Sequence, residues 1–312
     1  MTAASPASPA SLPTPLAAPE RPTREPADLA PLRLGLIGAG IAHSRSPALH
    51  EGEAAAHGLP CRYTLLDLDR LGIGVDGLDG LLHRLEDEGW AGVNITLPCK
   101  QAVIPLLDEV APEAAAIGAV NTVRFAAGRR IGYNTDAHGF GQGFRSGLPE
   151  ARRERVVQFG AGGAGAATAF ALLELGATRL ALVDELPARA AALAAQLGRH
   201  FPACSIEAPG REQVDAALGT ADGVVNATPV GTARLPGSAV PLAALHAGLW
   251  VADVIYAPAE TLLLRSARAL GCQTLDGTHM LVVQAARAFE LFSGCRADVT
   301  RMLERFRAAP SP

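Results

Sequence analysis

The first long apolar run, LRLGLIG over residues 32–38, stops at Gly38 and predicts a buried strand. The loop GAGIAHSRSP follows, and Pro47 behind Ser46 marks a helix start with Ser46 as its N-cap. Residues 61–67 read as a second strand, 77–88 as an amphipathic helix, and WAGVNIT (90–96) as a third strand. IGAVNTVRF and RRIGYNTD read as short strands around a turn at Ala127–Gly128. Strands alternating with helices predict an α/β fold built on a parallel sheet.

At residue 146 the texture changes. SGLPEARRER is polar and carries Gly and Pro, as a surface connection would. A second α/β unit then opens with strand 156–159. It continues with helix 162–175, strand 179–183, helix 187–198, strands 222–225 and 250–254, and a helix near 259–269. From residue 278 the pattern predicts two helices broken near SGCRAD. No internal repeat is found. Residues 1–31 are Pro, Ala, Ser and Thr punctuated by charges. Without an apolar h-region they are not a secretory signal, and a disordered extension is the better reading than a transit-type leader.

Composition narrows the function classes. About half of the 312 residues are apolar, which allows a sizeable core, and the formal charge of −4 without a basic stripe argues against nucleic acid. No apolar run reaches the ~18 residues of a membrane span. Five cysteines, Cys61, Cys99, Cys204, Cys272 and Cys295, are scattered and lack CxxC spacing, which suits reduced thiols in cytoplasm better than disulfides or zinc. His43, His50 and His57 recur every seven residues, without the i,i+4 spacing of a metal-binding pair, and no metal is expected. Of 27 basic residues only one, Lys100, is lysine. In a chain that otherwise uses arginine, a lone lysine marks a place where a group able to lose its proton is needed.

The string VVQFGAGGAG puts Gly160, Gly162 and Gly165 after a strand and at the head of a helix, with Ala161, Gly163 and Ala164 between them. Such a turn brings backbone amides and a helix N-terminus to a pyrophosphate. Asp184 ends the next strand, where a carboxylate can accept from both ribose hydroxyls of NAD and repel the extra phosphate of NADP. Arg189 lies close behind and could serve that phosphate instead, so NAD is expected and NADP is allowed. In the first unit, polar clusters stand at strand ends: Ser44 and Ser46, then Asn94, Thr96 and Lys100, then Asn121, then Asp136 in NTD. Three of the four asparagines fall in these clusters, and the fourth, Asn226 in NATPVG, ends a strand of the second unit. Strand ends are where α/β proteins hold ligands, although Asn and Ser also cap turns.

HSRSPALH, GVNITLPCKQAV, IGAVNTV, GYNTDAHGF, GAGGAGAA, NATPVG, DVIYAPAETLLL and DGTHMLVVQAARAFELFSG, in this order, resemble the shikimate dehydrogenase family, nearest its NAD-dependent quinate/shikimate dehydrogenases. The resemblance runs from about residue 32 to 308. It implies two α/β domains around a cleft: a substrate-binding catalytic domain (32–136), a Rossmann domain (137–277), and C-terminal helices (278–312) packed back on the first. It implies that Ser44 and Ser46 bind the substrate carboxylate and that Thr96, Asn121, Asp136 and Gln284 bind ring hydroxyls, with Tyr256 nearby. Lys100 would be the general acid–base, while Thr228, Val254 and Gly277 line the nicotinamide side. The implied reaction is reversible oxidation of shikimate or quinate. Departures are Thr232, where the family often has Met; Cys99, where a larger ring is common; and Ser46, where quinate-using relatives can carry Thr. Rival readings are a biosynthetic NADP-dependent enzyme, a folate dehydrogenase of similar architecture, and a non-catalytic dinucleotide sensor, which could dispense with Lys100 and Asp136. A homo-oligomer is left open.

Overall fold

The computed structural model describes residues 31–308. All but the last residue of the extension expected over 1–31 lies outside the described residues. The first unit runs β1 (Leu32–Gly38), α1 (Ser46–Ala56), β2 (Cys61–Asp67), the single turn α2 (Leu68–Leu71), α3 (Leu78–Asp87) and β3 (Gly92–Ile95). It continues with the single turn α4 (Cys99–Ala102), β4 (Glu109–Val110), α5 (Pro112–Ile117), β5 (Thr122–Ala126) and β6 (Arg129–Tyr133). Its strands form a six-stranded sheet in the order β2-β1-β3-β5-β6-β4.

That sheet is mixed, not parallel as the alternation predicts: β5 is antiparallel to both β3 and β6. The turn between β5 and β6 explains the second pairing. Ala127 and Gly128 have φ of 52° and 68°, the left-handed pair of a two-residue hairpin, which can only join antiparallel strands. Helix α1 also departs from expectation. Ser46 is its first residue, not its cap, because its hydroxyl is engaged by Ser44.

Helix α6 (Asp136–Gly147) leads into the second unit. That unit has β7 (Arg155–Phe159), α7 (Gly163–Glu174), β8 (Arg179–Val183), α8 (Pro187–His200), β9 (Ser205–Glu207), α9 (Val214–Thr220) and β10 (Gly223–Asn226). Then come β11 (Trp250–Asp253), α10 (Leu262–Ala269) and β12 (Gln273–Leu275). This sheet is wholly parallel, in the order β12-β11-β10-β7-β8-β9. The strand order reverses between β7 and β10, so their carboxyl ends open the crevice where such sheets hold ligands.

The chain then returns. Helices α11 (Thr278–Ser293) and α12 (Val299–Ala308) pack on the first unit, where Ala288 and Phe292 join Leu34, Leu36 and Tyr63 in one core. Gly92 leaves the notch for Phe292, since a Cβ there would stand 2.5 Å from its ring. Helix α6 belongs to both units: Phe140 and Phe144 are buried with Leu172, Leu180 and Trp250 of the second. Each such side chain contributes roughly 1.5–3 kcal/mol through burial. On another side Gln196 of α8 donates to the Ala116 carbonyl at the end of α5, 2.9 Å away.

Candidate active site

β1 and β3 are parallel neighbours, with Ile37 paired to Ile95, so the loops that leave them emerge side by side. Gly38 permits this approach, because a Cβ there would meet the Thr96 methyl at 2.3 Å and the Leu97 carbonyl at 2.9 Å. The loop after β1 is anchored by Asp67, whose carboxylate accepts from the amides of Gly40 and Ile41 at 3.0 Å each. Farther along it, the Ser44 hydroxyl donates to that of Ser46 at 3.2 Å and accepts from the Ser46 amide at 3.3 Å. The result is a small paired-hydroxyl platform of the kind a carboxylate would bridge.

Lys100 sits in the turn beyond β3. The fully buried Cys99 holds that turn down, and the Lys100 carbonyl accepts from the Val120 amide at 2.8 Å. Its Nζ lies 2.5 Å from Asp136 Oδ2, with both side chains largely buried. Asn134 aims that carboxylate. Its Oδ1 accepts from the amides of Asp136 (3.0 Å) and Ala137 (3.2 Å), and its Nδ2 donates to the Ala119 carbonyl at 2.8 Å. Asn134 was legible in the NTD cluster only as one more scarce asparagine; its service to Asp136 appears in the fold.

A hydrogen-bond chain runs beside this pair. The Tyr63 hydroxyl donates to Asn94 Oδ1 (2.9 Å), and Asn94 Nδ2 to Thr122 Oγ1 (3.0 Å). The Thr122 hydroxyl donates to Asn121 Oδ1 (3.0 Å), whose Nδ2 reaches Thr135 Oγ1 (2.9 Å). The Thr135 hydroxyl lies 3.3 Å from Gln284 Oε1 on the returning helix α11. Asn94 is thus buried and braces β3 against β5. Tyr63, Thr122 and Thr135 are missed by sequence reasoning, because a buried Tyr or Thr in a strand gives no signal beyond ordinary strand composition and Thr135, ahead of α6, reads as an ordinary helix cap. Burial pushes the Tyr63 phenol well above its usual range, so it stays a hydroxyl donor.

Tyr256 is half-buried and meets the Phe306 ring edge-on at 6.2 Å. The Arg45 guanidinium stacks 3.7 Å over the same Phe306 ring. Helix α12 therefore ties Tyr256 to the loop that carries Ser44 and Ser46.

On the second unit the glycine string leaves β7. Gly160 has φ of 102°, and a Cβ on Gly165 would stand 2.1 Å from the Gly160 carbonyl, so neither position can carry a side chain. Around Gly162, by contrast, nothing lies within 4 Å of where a Cβ would be. Gly162 is exposed at the head of α7, a setting that fits a pyrophosphate. Asp184 is drawn to the loop: Oδ2 accepts from the Ala161 amide at 2.8 Å and Oδ1 from Leu186 at 2.9 Å. Arg189 is exposed on the first turn of α8.

Asn226 ends β10 beneath the NATPVG turn. It is fully buried, its Nδ2 donates to Asp253 and to the Val230 carbonyl, and its Oδ1 accepts from Thr228. Asn226 therefore shapes the NATPVG turn that presents Thr228. The Val254 amide donates to the Asn226 carbonyl, and Gly277 comes so close to the Val254 carbonyl that a Cβ would lie 2.1 Å from it. Thr232, in the place of the common Met, donates to the Pro229 carbonyl of its own loop at 2.9 Å.

Two family models match: the shikimate dehydrogenase substrate binding domain over residues 36–123 and the shikimate 5'-dehydrogenase C-terminal domain over 277–305. A shikimate dehydrogenase (NADP(+)) of Streptomyces avermitilis is 56% identical over 270 residues, covering 86% of this chain and 93% of that protein. The chain belongs to the shikimate dehydrogenase family. A quinate/shikimate dehydrogenase (NAD(+)) of Corynebacterium glutamicum is 49% identical over 280 residues, covering 88% of this chain and 97% of that one. The quinate dehydrogenase from Corynebacterium glutamicum in complex with NAD superposes with a TM-score of 0.82 at 46% identity, over 89% of this chain and 99% of that chain. Among its described residues, this shikimate dehydrogenase family member has no helix long and apolar enough to cross a membrane. It is an oxidoreductase acting on a CH–OH group, in a family whose members divide between NAD and NADP.

Proposed function

We propose that this protein catalyses the reversible, NAD-preferring oxidation of the 3-hydroxyl of shikimate, or the equivalent hydroxyl of quinate, with Lys100 as general acid–base. The observation that carries the reading is the largely buried Lys100–Asp136 pair, with the lysine stem lying along the glycine loop. The substrate carboxylate would rest on Ser44 and Ser46. The ring hydroxyls would meet Thr96, Asn121, Asp136 and Gln284, with Tyr256 at the rim.

NAD would lie with its pyrophosphate on Gly160–Gly165, its ribose at Asp184 and its nicotinamide near Thr228, Val254 and Gly277. When bound it supplies the hydride acceptor. The chain's own work is proton transfer. Lys100 takes the hydroxyl proton during oxidation and returns it during reduction, a role worth about 10²–10⁴-fold in rate. Asp136 holds the Nζ and the hydroxyl in one geometry. In this reading residues 32–136 bind substrate, 137–277 bind nucleotide, 278–312 complete the substrate side, and the protein works in the cytoplasm.

A second reading, an NADP-dependent biosynthetic enzyme, has the Streptomyces relative in its favour. Initial rates on shikimate and on quinate, each with NAD and with NADP, separate the two. NAD should lead in kcat/KM by about tenfold or more if the Asp184 carboxylate repels the added phosphate. A lead for NADP would overturn the NAD assignment, and no turnover of either substrate would overturn the reaction.

A further inference from the structure

The dinucleotide turn needs three glycines, yet this chain has four. Gly160, Gly162 and Gly165 meet the requirements of the turn, of pyrophosphate approach and of helix packing. Gly163 occupies a position the turn leaves free. Its φ lies outside the left-handed region, so an L side chain would be unstrained there. It is also the first residue of α7, where alanine is the better helix former.

What excludes a side chain at Gly163 comes from the other unit. A Cβ would lie 2.9 Å from Lys100 Cβ, 2.9 Å from Cδ and 3.4 Å from Cγ. The lysine cannot simply swing away. Its backbone is pinned by Val120 and by the buried Cys99, and its Nζ by Asp136. The stem is held at both ends, and Gly163 forms the wall alongside it.

We propose that Gly163 is a positioning residue for Lys100. Its missing methyl lets the substrate-side lysine lie directly on the nucleotide loop, so the two half-sites meet at van der Waals contact here. The inference rests on Lys100 being the acid–base. It adds that lysine geometry is set from the nucleotide unit as well as by Asp136. A methyl at Gly163 would displace the stem, and Nζ with it, while leaving the pyrophosphate amides in place.

The test is a double-mutant cycle between Gly163→Ala and Lys100→Gly, read by thermal unfolding, NAD affinity and turnover. Gly163→Ala should lower kcat by at least about tenfold and leave the Kd for NAD within about threefold, since misplacing a reacting group by an ångström costs that much and more. It should lower Tm when residue 100 is lysine. With glycine at 100, which lacks Cβ as well as Cγ and Cδ, the clash is gone, and the same change should leave Tm equal or higher. Equal Tm shifts in both backgrounds, or unchanged kcat in Gly163→Ala, would overturn the inference. So would a fall in NAD affinity that accounts for the whole loss. If Gly163→Ala alone does not fold, the double variant decides: recovered folding supports the contact, and equal failure refutes it. Full turnover in Lys100→Gly would instead overturn the acid–base reading, and the Tm coupling would still judge the contact.

Discussion

Lys100 Nζ and Asp136 Oδ2 stand 2.5 Å apart although 36 positions separate them in the chain. The lysine comes from the turn after β3 and the aspartate from the first residue of α6, and each is braced by its own backbone bonds. Removing the amine should therefore empty a position without reshaping its surroundings. Lys100→Ala should lose about 10²–10⁴-fold in kcat and in kcat/KM together, with little change in substrate affinity. Lys100→Arg should fail nearly as badly, because guanidinium keeps its proton. Steady-state kinetics on both variants check this, and an arginine variant with near-normal kcat removes proton transfer from the lysine.

Asp184 holds the loop amide of Ala161 and, in the proposed reading, offers charge at the ribose position. Asp184→Ala should reduce kcat/KM with NAD by roughly tenfold and narrow the gap to NADP. Asp184→Asn keeps an acceptor for Ala161 and removes only the charge, so it should narrow the gap with a smaller loss on NAD. Ratios of kcat/KM for the two cofactors give the answer; a wild-type ratio preserved in both variants would release Asp184 from cofactor choice.

Tyr63→Phe removes one hydroxyl from the chain that links Asn94, Thr122 and Asn121. Asn94 Oδ1 is then buried without its donor, at a cost of about 1–3 kcal/mol. Urea unfolding should show that loss. KM for the acid substrate should rise while the NAD affinity holds. Unchanged stability would mean that Asn94 finds another partner.

His50 is buried against Tyr63, with ring centroids 4.7 Å apart, and burial holds its pKa down to about 3. In the unfolded chain it binds a proton near pH ~6.5, so the unfolded state takes up protons first on acidification. Its contribution to stability is complete above that value and is lost as pH falls toward 3. Between pH 7 and pH 5 this amounts to about 2 kcal/mol. Denaturant unfolding at both pH values should therefore fall more steeply for wild type than for His50→Leu, by about that amount. Parallel acid slopes would show that His50 is charged in the folded protein.

The nucleotide unit was the more legible half of the sequence. Its strands are continuous apolar runs, and the glycine string and Asp184 announce the turn and the strand that follow. The short edge strands β9 and β12, of three residues each, were not readable, because such runs carry no periodicity. In the substrate unit the lone lysine and the clustered asparagines pointed to the candidate site. They did not tell which asparagine faces a ligand and which braces the fold. Asn134 and Asn226 orient their neighbours through bonds that become visible only when strand ends are brought together. Gly163 was read as part of a nucleotide motif, since its neighbour from the other unit lies 63 positions away.

Helix α11 carries Gln284 to the site and also seats Phe292 in the notch at Gly92, over Leu34, Leu36 and Tyr63. On the ribosome, the whole nucleotide unit is synthesised between β6 and this helix. The first sheet must wait with one apolar face bare, although N-terminal units ordinarily fold first. The half of the protein that emerges earliest is thus the last to be completed, once Thr278–Ser293 has left the exit tunnel. A chain arrested before that point would present a sticky sheet and no pocket, the form in which chaperones and proteases would meet it.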